Sequence, residues 1–136
     1  MLVKKDRSSD KENIKILIVE DEILIALDIK YTVENLGFYT IGILSSGEEV
    51  IKKIPHLKPD FILMDIKLSG KMDGVYAAEK IYSQYHIPSI YISAYDGEKI
   101  YQQVRQKNQF YFINKPFSEH ELSHIIRKTK ERFGLV

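Results

Sequence analysis

Four short apolar runs in this chain each end in residues able to do chemistry. Ile14 to Val19 is followed by Glu20-Asp21-Glu22, Phe61 to Met64 by Asp65, Ser89 to Ile92 by Ser93-Ala94, and Phe110 to Ile113 by Asn114-Lys115-Pro116-Phe117. Gathered in one place, ionised Glu20, Asp21 and Asp65 with protonated Lys115 leave about two negative charges, which a single divalent cation neutralises. Ligands that are all oxygen select Mg²⁺ or a similar hard ion over zinc or copper. A carboxylate nucleophile (Asp65), a metal beside it, and the Lys115 ammonium and Ser93 hydroxyl to hold the remaining oxygens make up a phosphoryl-transfer site. A carboxylate is already deprotonated at neutral pH, so this chemistry needs no histidine base. His56, His86, His120 and His124 therefore read as surface or packing residues. Plainer roles stay open for individual members: Asp21 or Glu22 can cap a helix, and Lys115 can be an ordinary loop lysine. Asp65, set between Met64 and Ile66, is harder to read as a residue that merely faces water.

The elements that must position these groups follow from periodicity. The strand candidates are Ile14 to Val19, Tyr39 to Leu44, Phe61 to Met64, Ser89 to Ile92 and Phe110 to Ile113, and continuous apolar runs suit strands covered on both faces. Between them, Ile25, Ile29, Val33 and Leu36 recur at helical spacing, as do Val50, Ile54 and Leu57, then Val75, Ala78, Ile81 and Tyr85, and finally Leu122, Ile125, Ile126 and Phe133. A further helix, thin in apolar residues, is expected at about Gly97 to Lys107. Ser118-Glu119-His120-Glu121 reads as a capping box with a Phe117–Leu122 staple, and Ser46-Gly47-Glu48-Glu49 as a second box. Five βα units with right-handed crossovers predict a flavodoxin-like, doubly wound α/β fold, (βα)5, with a parallel five-stranded sheet in the order 2-1-3-4-5. In such sheets ligands bind beyond the C-terminal strand ends, where every residue singled out above would lie.

Composition narrows the alternatives. The 136 residues carry 20 Lys plus Arg against 19 Asp plus Glu, so no bulk basic field favours direct nucleic-acid binding. Cysteine is absent, which removes thiol catalysis and cysteine-based metal sites. No apolar run reaches the length of a membrane span and no apolar signal core opens the chain, so the expected compartment is the cytoplasm. Residues 1–13 are dominated by charged and small polar types and read as a polar tail or linker, leaving 14–136 as one domain.

With these residues in view, the sequence resembles the receiver domains of two-component response regulators from about Ile14 to Phe133. The segments that carry the resemblance are ILIVEDE, PDFILMDIKLSGKMDG, IPSIYISAY and FYFINKPF. It implies a signalling domain rather than an enzyme, phosphorylated on Asp65 from the phosphohistidine of a sensor histidine kinase or phosphotransfer protein. Two native settings stay open, a single-domain regulator or a receiver with an output domain or hybrid kinase in the same native chain. By position in the motifs, Asp21 would ligate Mg²⁺ directly, Glu20 mainly through water, and the Lys67 backbone carbonyl would be a further ligand beside Asp65. Ser93 would contact the phosphoryl group, Phe112 would be the switch aromatic, Lys115 the phosphate-binding lysine, and Lys115-Pro116 a cis peptide. The residues two beyond the acceptor and two beyond the hydroxyl, Lys67 and Tyr95, would tune the lifetime of the phosphoryl group.

The chain departs from the commonest family pattern in its Glu-Asp acidic pair, in Ser69, and in a loop after Asp65 about one residue longer than usual. Three other classes compete with this reading. A Mg²⁺-dependent phosphatase of the haloacid dehalogenase type resembles Asp-x-Asp at its nucleophile, where this chain has Lys67. A flavodoxin-like cofactor binder would not place Glu20-Asp21-Glu22 against a phosphate. A pseudo-receiver acting only as an interaction module usually lacks part of the acidic, hydroxyl and lysine set.

Overall fold

A computed structural model describes residues 14–68, 70–94 and 109–135. Its strands are β1 (Lys15–Val19), β2 (Tyr39–Leu44), β3 (Phe61–Asp65), β4 (Ser89–Ser93) and β5 (Phe112–Asn114). They form one parallel sheet in the order β2-β1-β3-β4-β5, as the alternation of patterns predicts. The described helices are α1 (Ile23–Asn35), α2 (Gly47–Leu57), α3 (Gly74–Tyr85) and α4 (Glu119–Phe133). The expected tail at 1–13, the helix at about Gly97 to Lys107, and Tyr95 lie outside the described residues.

Alternation along the strands divides the core into two apolar layers, one on each side of the sheet. Ile16, Ile18, Phe61, Leu63, Ile90 and Ile92 face α1 and α4, meeting Ala26, Ile29, Val33, Leu122 and Ile126. Leu17, Val19, Ile62, Met64 and Tyr91 face α2 and α3, meeting Val50, Ile54, Ala77, Ala78 and Ile81. β1 and β3 lie side by side at the centre of the sheet, covered on both faces, and their C-terminal ends lead into Glu20 and carry Asp65.

Local chemistry sets the helix starts, with some differences from expectation. Ser118 and Glu121 form the complete capping box, and Phe117 and Leu122 share one apolar cluster. Ser46 accepts the Glu49 N–H, but the Glu49 carboxylate reaches back one residue further and accepts the Ser45 N–H, so the second box is not closed. That hydrogen bond holds the Glu49 carboxyl below its ordinary range. β3 and β4 each run one residue further than expected, placing Asp65 and Ser93 on the strands themselves. β5 begins at Phe112 rather than Phe110, whose ring instead turns into an aromatic cluster with Tyr82, Tyr91 and Phe133. The α3 stripe also differs at its end: Tyr85 is exposed, and Tyr82 takes the inward place edge-on to Phe110.

Candidate functional site

The site lies at the C-terminal edge of the sheet. Glu20 follows β1 directly, its N–H donating to the Leu44 carbonyl at 2.9 Å, which fixes the chain as it leaves the sheet. Glu22 takes the N-cap position of α1 without making a side-chain cap, and its N–H donates to Glu20 Oε2 at 3.1 Å. The capping role left open for this acidic run is thus not what Glu22 does. Glu20 is 2% exposed and Asp65 5%. Two carboxylates almost wholly removed from water in one place need a positive partner.

One such partner is Lys115. Its Nζ lies 2.9 Å from Glu20 Oε1 and 3.7 Å from Asp65 Oδ2. The lysine is placed by its own N–H, which donates to the Ser93 carbonyl at 2.7 Å, so the end of β4 positions the side chain that reaches the ends of β1 and β3. The Lys115–Pro116 peptide that follows is cis. Burial works against the ammonium, but the hydrogen bond to Glu20 and the charges of Asp65, Glu20 and Glu22 outweigh it and hold Lys115 above its ordinary value. Asp65 is raised as well, which for a carboxylate disfavours the charged form: burial first, then the Glu20 charge, push it up to about 7, against the pull of Lys115 and of the Lys67 N–H donated to Asp65 Oδ1. Without a metal it is therefore not fully ionised at neutral pH, in contrast to the expectation from sequence.

Ligand oxygens of Glu20, Asp21 and Asp65 lie within 4.8 Å of one another. Three carboxylates against one ammonium leave the cluster short of positive charge, and the donor set is entirely oxygen, so these residues fit Mg²⁺ by spacing, charge and ligand type. Ser93 ends β4 half-buried, and Phe112 opens β5, paired in register with Tyr91. Lys67 is exposed. The four histidines are exposed, in keeping with the surface role expected for them.

Two residues escaped the sequence reading. Gly74 opens α3 against the backbone of Asp65: a Cβ there would lie 1.9 Å from the Asp65 carbonyl oxygen. Glu48 reaches from α2 to the loop after Asp65, accepting the Lys71 N–H at 3.2 Å. Gly74 left a faint signal, a glycine directly after the capping Asp73 where a better helix former is the ordinary choice. Glu48 left none, since an acidic residue in a first helical turn is expected anyway.

A parallel five-stranded sheet in the order β2-β1-β3-β4-β5, with an acidic trio and a lysine at its carboxyl edge, places the chain in the doubly wound, flavodoxin-like class of α/β folds, and comparison with known proteins places it within one family. The family profile described as the response regulator receiver domain matches residues 16–127, and the chain belongs to this family. Transcriptional regulatory protein PdtaR of Mycobacterium tuberculosis is 29% identical over 119 residues, covering 88% of this chain and 58% of that protein. Phyllosphere-induced regulator PhyR of Methylorubrum extorquens is 36% identical over 113 residues, covering 82% of this chain and 42% of that protein. The chain thus spans about half the length of the curated relatives it matches. Among solved structures, the signal receiver domain of a modulated diguanylate cyclase from Desulfovibrio desulfuricans superposes with a TM-score of 0.81 at 31% identity, covering 89% of this chain and 96% of that one.

Proposed function

We propose that this receiver accepts a phosphoryl group on Asp65 from a phosphohistidine of a sensor histidine kinase or phosphotransfer protein, in a Mg²⁺-dependent reaction, and changes conformation to signal. The observation that carries this reading is the joint placement of Asp65: buried at the end of a central strand, within 4.8 Å of the Glu20 and Asp21 ligand atoms and 3.7 Å from the Lys115 ammonium. In the step itself an Asp65 carboxylate oxygen forms the new O–P bond as the donor's N–P bond breaks, and the imidazole leaves with the bonding pair. Glu20, Asp21, Asp65 and the Lys67 carbonyl would hold Mg²⁺, which when bound would supply positive charge for the phosphoryl oxygens. Lys115 exchanges part of its interaction with Glu20 for a phosphoryl oxygen, and the Ser93 hydroxyl donates to another. Ser93 and Phe112 act as the switch pair, and Lys67 and Tyr95 govern how long the phosphoryl group survives.

A partner surface beside this edge supports the reading. α1 begins next to the acidic cluster and presents Ile23, Leu24, Leu27 and Tyr31 to solvent, with Leu24 79% exposed. An apolar face of this kind next to a reactive edge suits a protein phosphodonor. In this reading residues 14–136 form the receiver unit and 1–13 a polar tail or linker; the unit is either a single-domain regulator or one joined natively to an output domain or hybrid kinase, and it works in the cytoplasm without direct nucleic-acid contact. Among the described residues no helix is long and apolar enough to cross a membrane.

The test is incubation with Mg²⁺ and a small phosphodonor, followed by intact mass. A single persistent phosphoryl adduct, absent in Asp65→Asn and without Mg²⁺, is the expected result. Continuous turnover of the donor would indicate a phosphatase, and absence of any adduct a pseudo-receiver.

A further inference from the structure

The loop that follows Asp65 is closed at its neck and anchored at its crown by different residues. At the neck, the Ile66 N–H donates to the Ile92 carbonyl at 3.0 Å and the Gly74 N–H to the Ile66 carbonyl at 2.9 Å. At the crown, the Lys71 N–H donates to Glu48 Oε2 at 3.2 Å. Gly70 stands beside it at φ 96°, a left-handed conformation that favours glycine, and a Cβ there would lie 3.2 Å from Glu48 Oε1. The neighbouring residue of α2, Gly47, leaves room for Met72, whose Cγ and Sδ would stand 3.1 Å from a Cβ at 47. The start of α2 is therefore a seat for residues 70–72: a missing side chain for the thioether and a carboxylate for the backbone.

We infer that Glu48 is a positioning residue for the metal-binding loop, clamping its crown to α2 and so holding the stem that carries Lys67 beside Asp65. The inference rests on the assignment of Glu20, Asp21, Asp65 and the Lys67 carbonyl to Mg²⁺. The stem begins with the Lys67 N–H donated to Asp65 Oδ1 at 3.1 Å, and Leu68 and Met72 pack against the same apolar layer. A loop tied only at its neck samples many arrangements of what lies between, and each further fixed point removes some of that freedom before a ligand has to. Glu48 also lies in the first turn of α2, where its charge favours the helix dipole without any contact to the loop. The two roles separate chemically, because glutamine keeps a carbonyl acceptor and loses the charge.

The experiment titrates Mg²⁺ into the full chain by amide NMR, for wild type, Glu48→Ala and Glu48→Gln, and follows hydrogen exchange at the Lys71 amide. Glu48→Ala is expected to weaken Mg²⁺ binding by about threefold to tenfold, the scale of one ordinary net hydrogen bond. It should also speed Lys71 exchange. Glu48→Gln is expected to bind within about twofold of wild type and to keep Lys71 protected. Wild-type affinity in Glu48→Ala overturns the inference, and so does a Gln variant as weak as the Ala variant, which would make Glu48 a source of field and not a clamp. A wild-type chain that binds neither Mg²⁺ nor beryllofluoride overturns the metal assignment and the inference with it; wild-type binding with an inert Glu48→Ala removes the clamp alone.

Discussion

Gly74 and the Asp65 carbonyl are in closer register than any side chain would permit: a Cβ on residue 74 would sit 1.9 Å from the Asp65 oxygen and 3.1 Å from the Ile66 Cα. The obstacle is backbone on a buried central strand, which cannot swing aside as the tip of a side chain can. The first residue of α3 therefore limits where Asp65 can stand relative to Glu20 and Lys115.

Gly74→Ala is expected to destabilise the fold by about 1–3 kcal/mol, as overpacking against unyielding atoms does. It should also slow phosphorylation beyond the fraction unfolded, because relief comes from displacing either α3 or Asp65. Chemical denaturation combined with initial phosphorylation rates tests this, and wild-type values for both would refute the contact.

Burial and the Glu20 charge hold the Asp65 carboxyl up at about 7, against an ordinary 3.8. In metal-free buffer the folded chain then binds this proton more tightly than the unfolded chain does. Its contribution to stability is fully present below pH 3.8 and is lost as pH rises through about 7. Asp65→Asn keeps a neutral side chain, so its stability advantage over wild type should grow between pH 5 and pH 8, reaching on the order of 1–4 kcal/mol. Mg²⁺ should narrow that gap at pH 8. Denaturation in a chelator at both pH values measures it, and a gap independent of pH would contradict the assignment.

Asp21 and Glu20 should differ in their effect on the metal. Glu20 is engaged by Lys115 at 2.9 Å and accepts the Glu22 N–H, whereas Asp21 is the more open member of the trio. Asp21→Asn is expected to weaken Mg²⁺ binding more than Glu20→Gln, by tenfold or more if it is the direct ligand, roughly the 1.4 kcal/mol equivalent. Equal affinities for wild type and Asp21→Asn would exclude that role.

The Lys115 N–H bonded to the Ser93 carbonyl ties the end of β4 to the segment after β5, and Phe112 lies on β5 opposite Tyr91. Movement of Ser93 toward a phosphoryl group on Asp65 should therefore be felt at Phe112, as a shift between two packed states. Amide shifts on adding beryllofluoride should concentrate around Ser93 to Tyr111. Shifts confined to Glu20, Asp21, Asp65 and Lys67 would argue against a switch.

Lys67 and Tyr95 are expected to protect the phosphoryl group, since neither offers a carboxamide or carboxylate to orient an attacking water. Lys67→Asn and Tyr95→Ala should each shorten its lifetime, followed as loss of radiolabel in Mg²⁺ buffer. Unchanged decay in both variants would leave these residues without part in the lifetime.

What the sequence determined by itself was whatever local periodicity and local chemistry encode. Alternating short apolar runs and helical stripes specified the βα units and, with the handedness of crossovers, the strand order. The same runs mark their own ends, which makes Glu20, Asp65, Ser93 and Lys115 legible from the sequence as strand-end residues. The Ser118 capping box was legible because its partners lie three residues apart. Tertiary structure decided what depends on distances between segments far apart in the chain. That Lys115 engages Glu20 across 95 positions, that Glu48 reaches Lys71 across 23, and that Gly74 must be bare because of Asp65 follow from how the sheet edge and α2 and α3 come together. It also decided that Tyr82 and not Tyr85 turns inward, since only the packed neighbour Phe110 distinguishes two tyrosines three residues apart on one helix. Local pattern carries which face of an element is apolar; which atoms that face meets is settled only when the layers close.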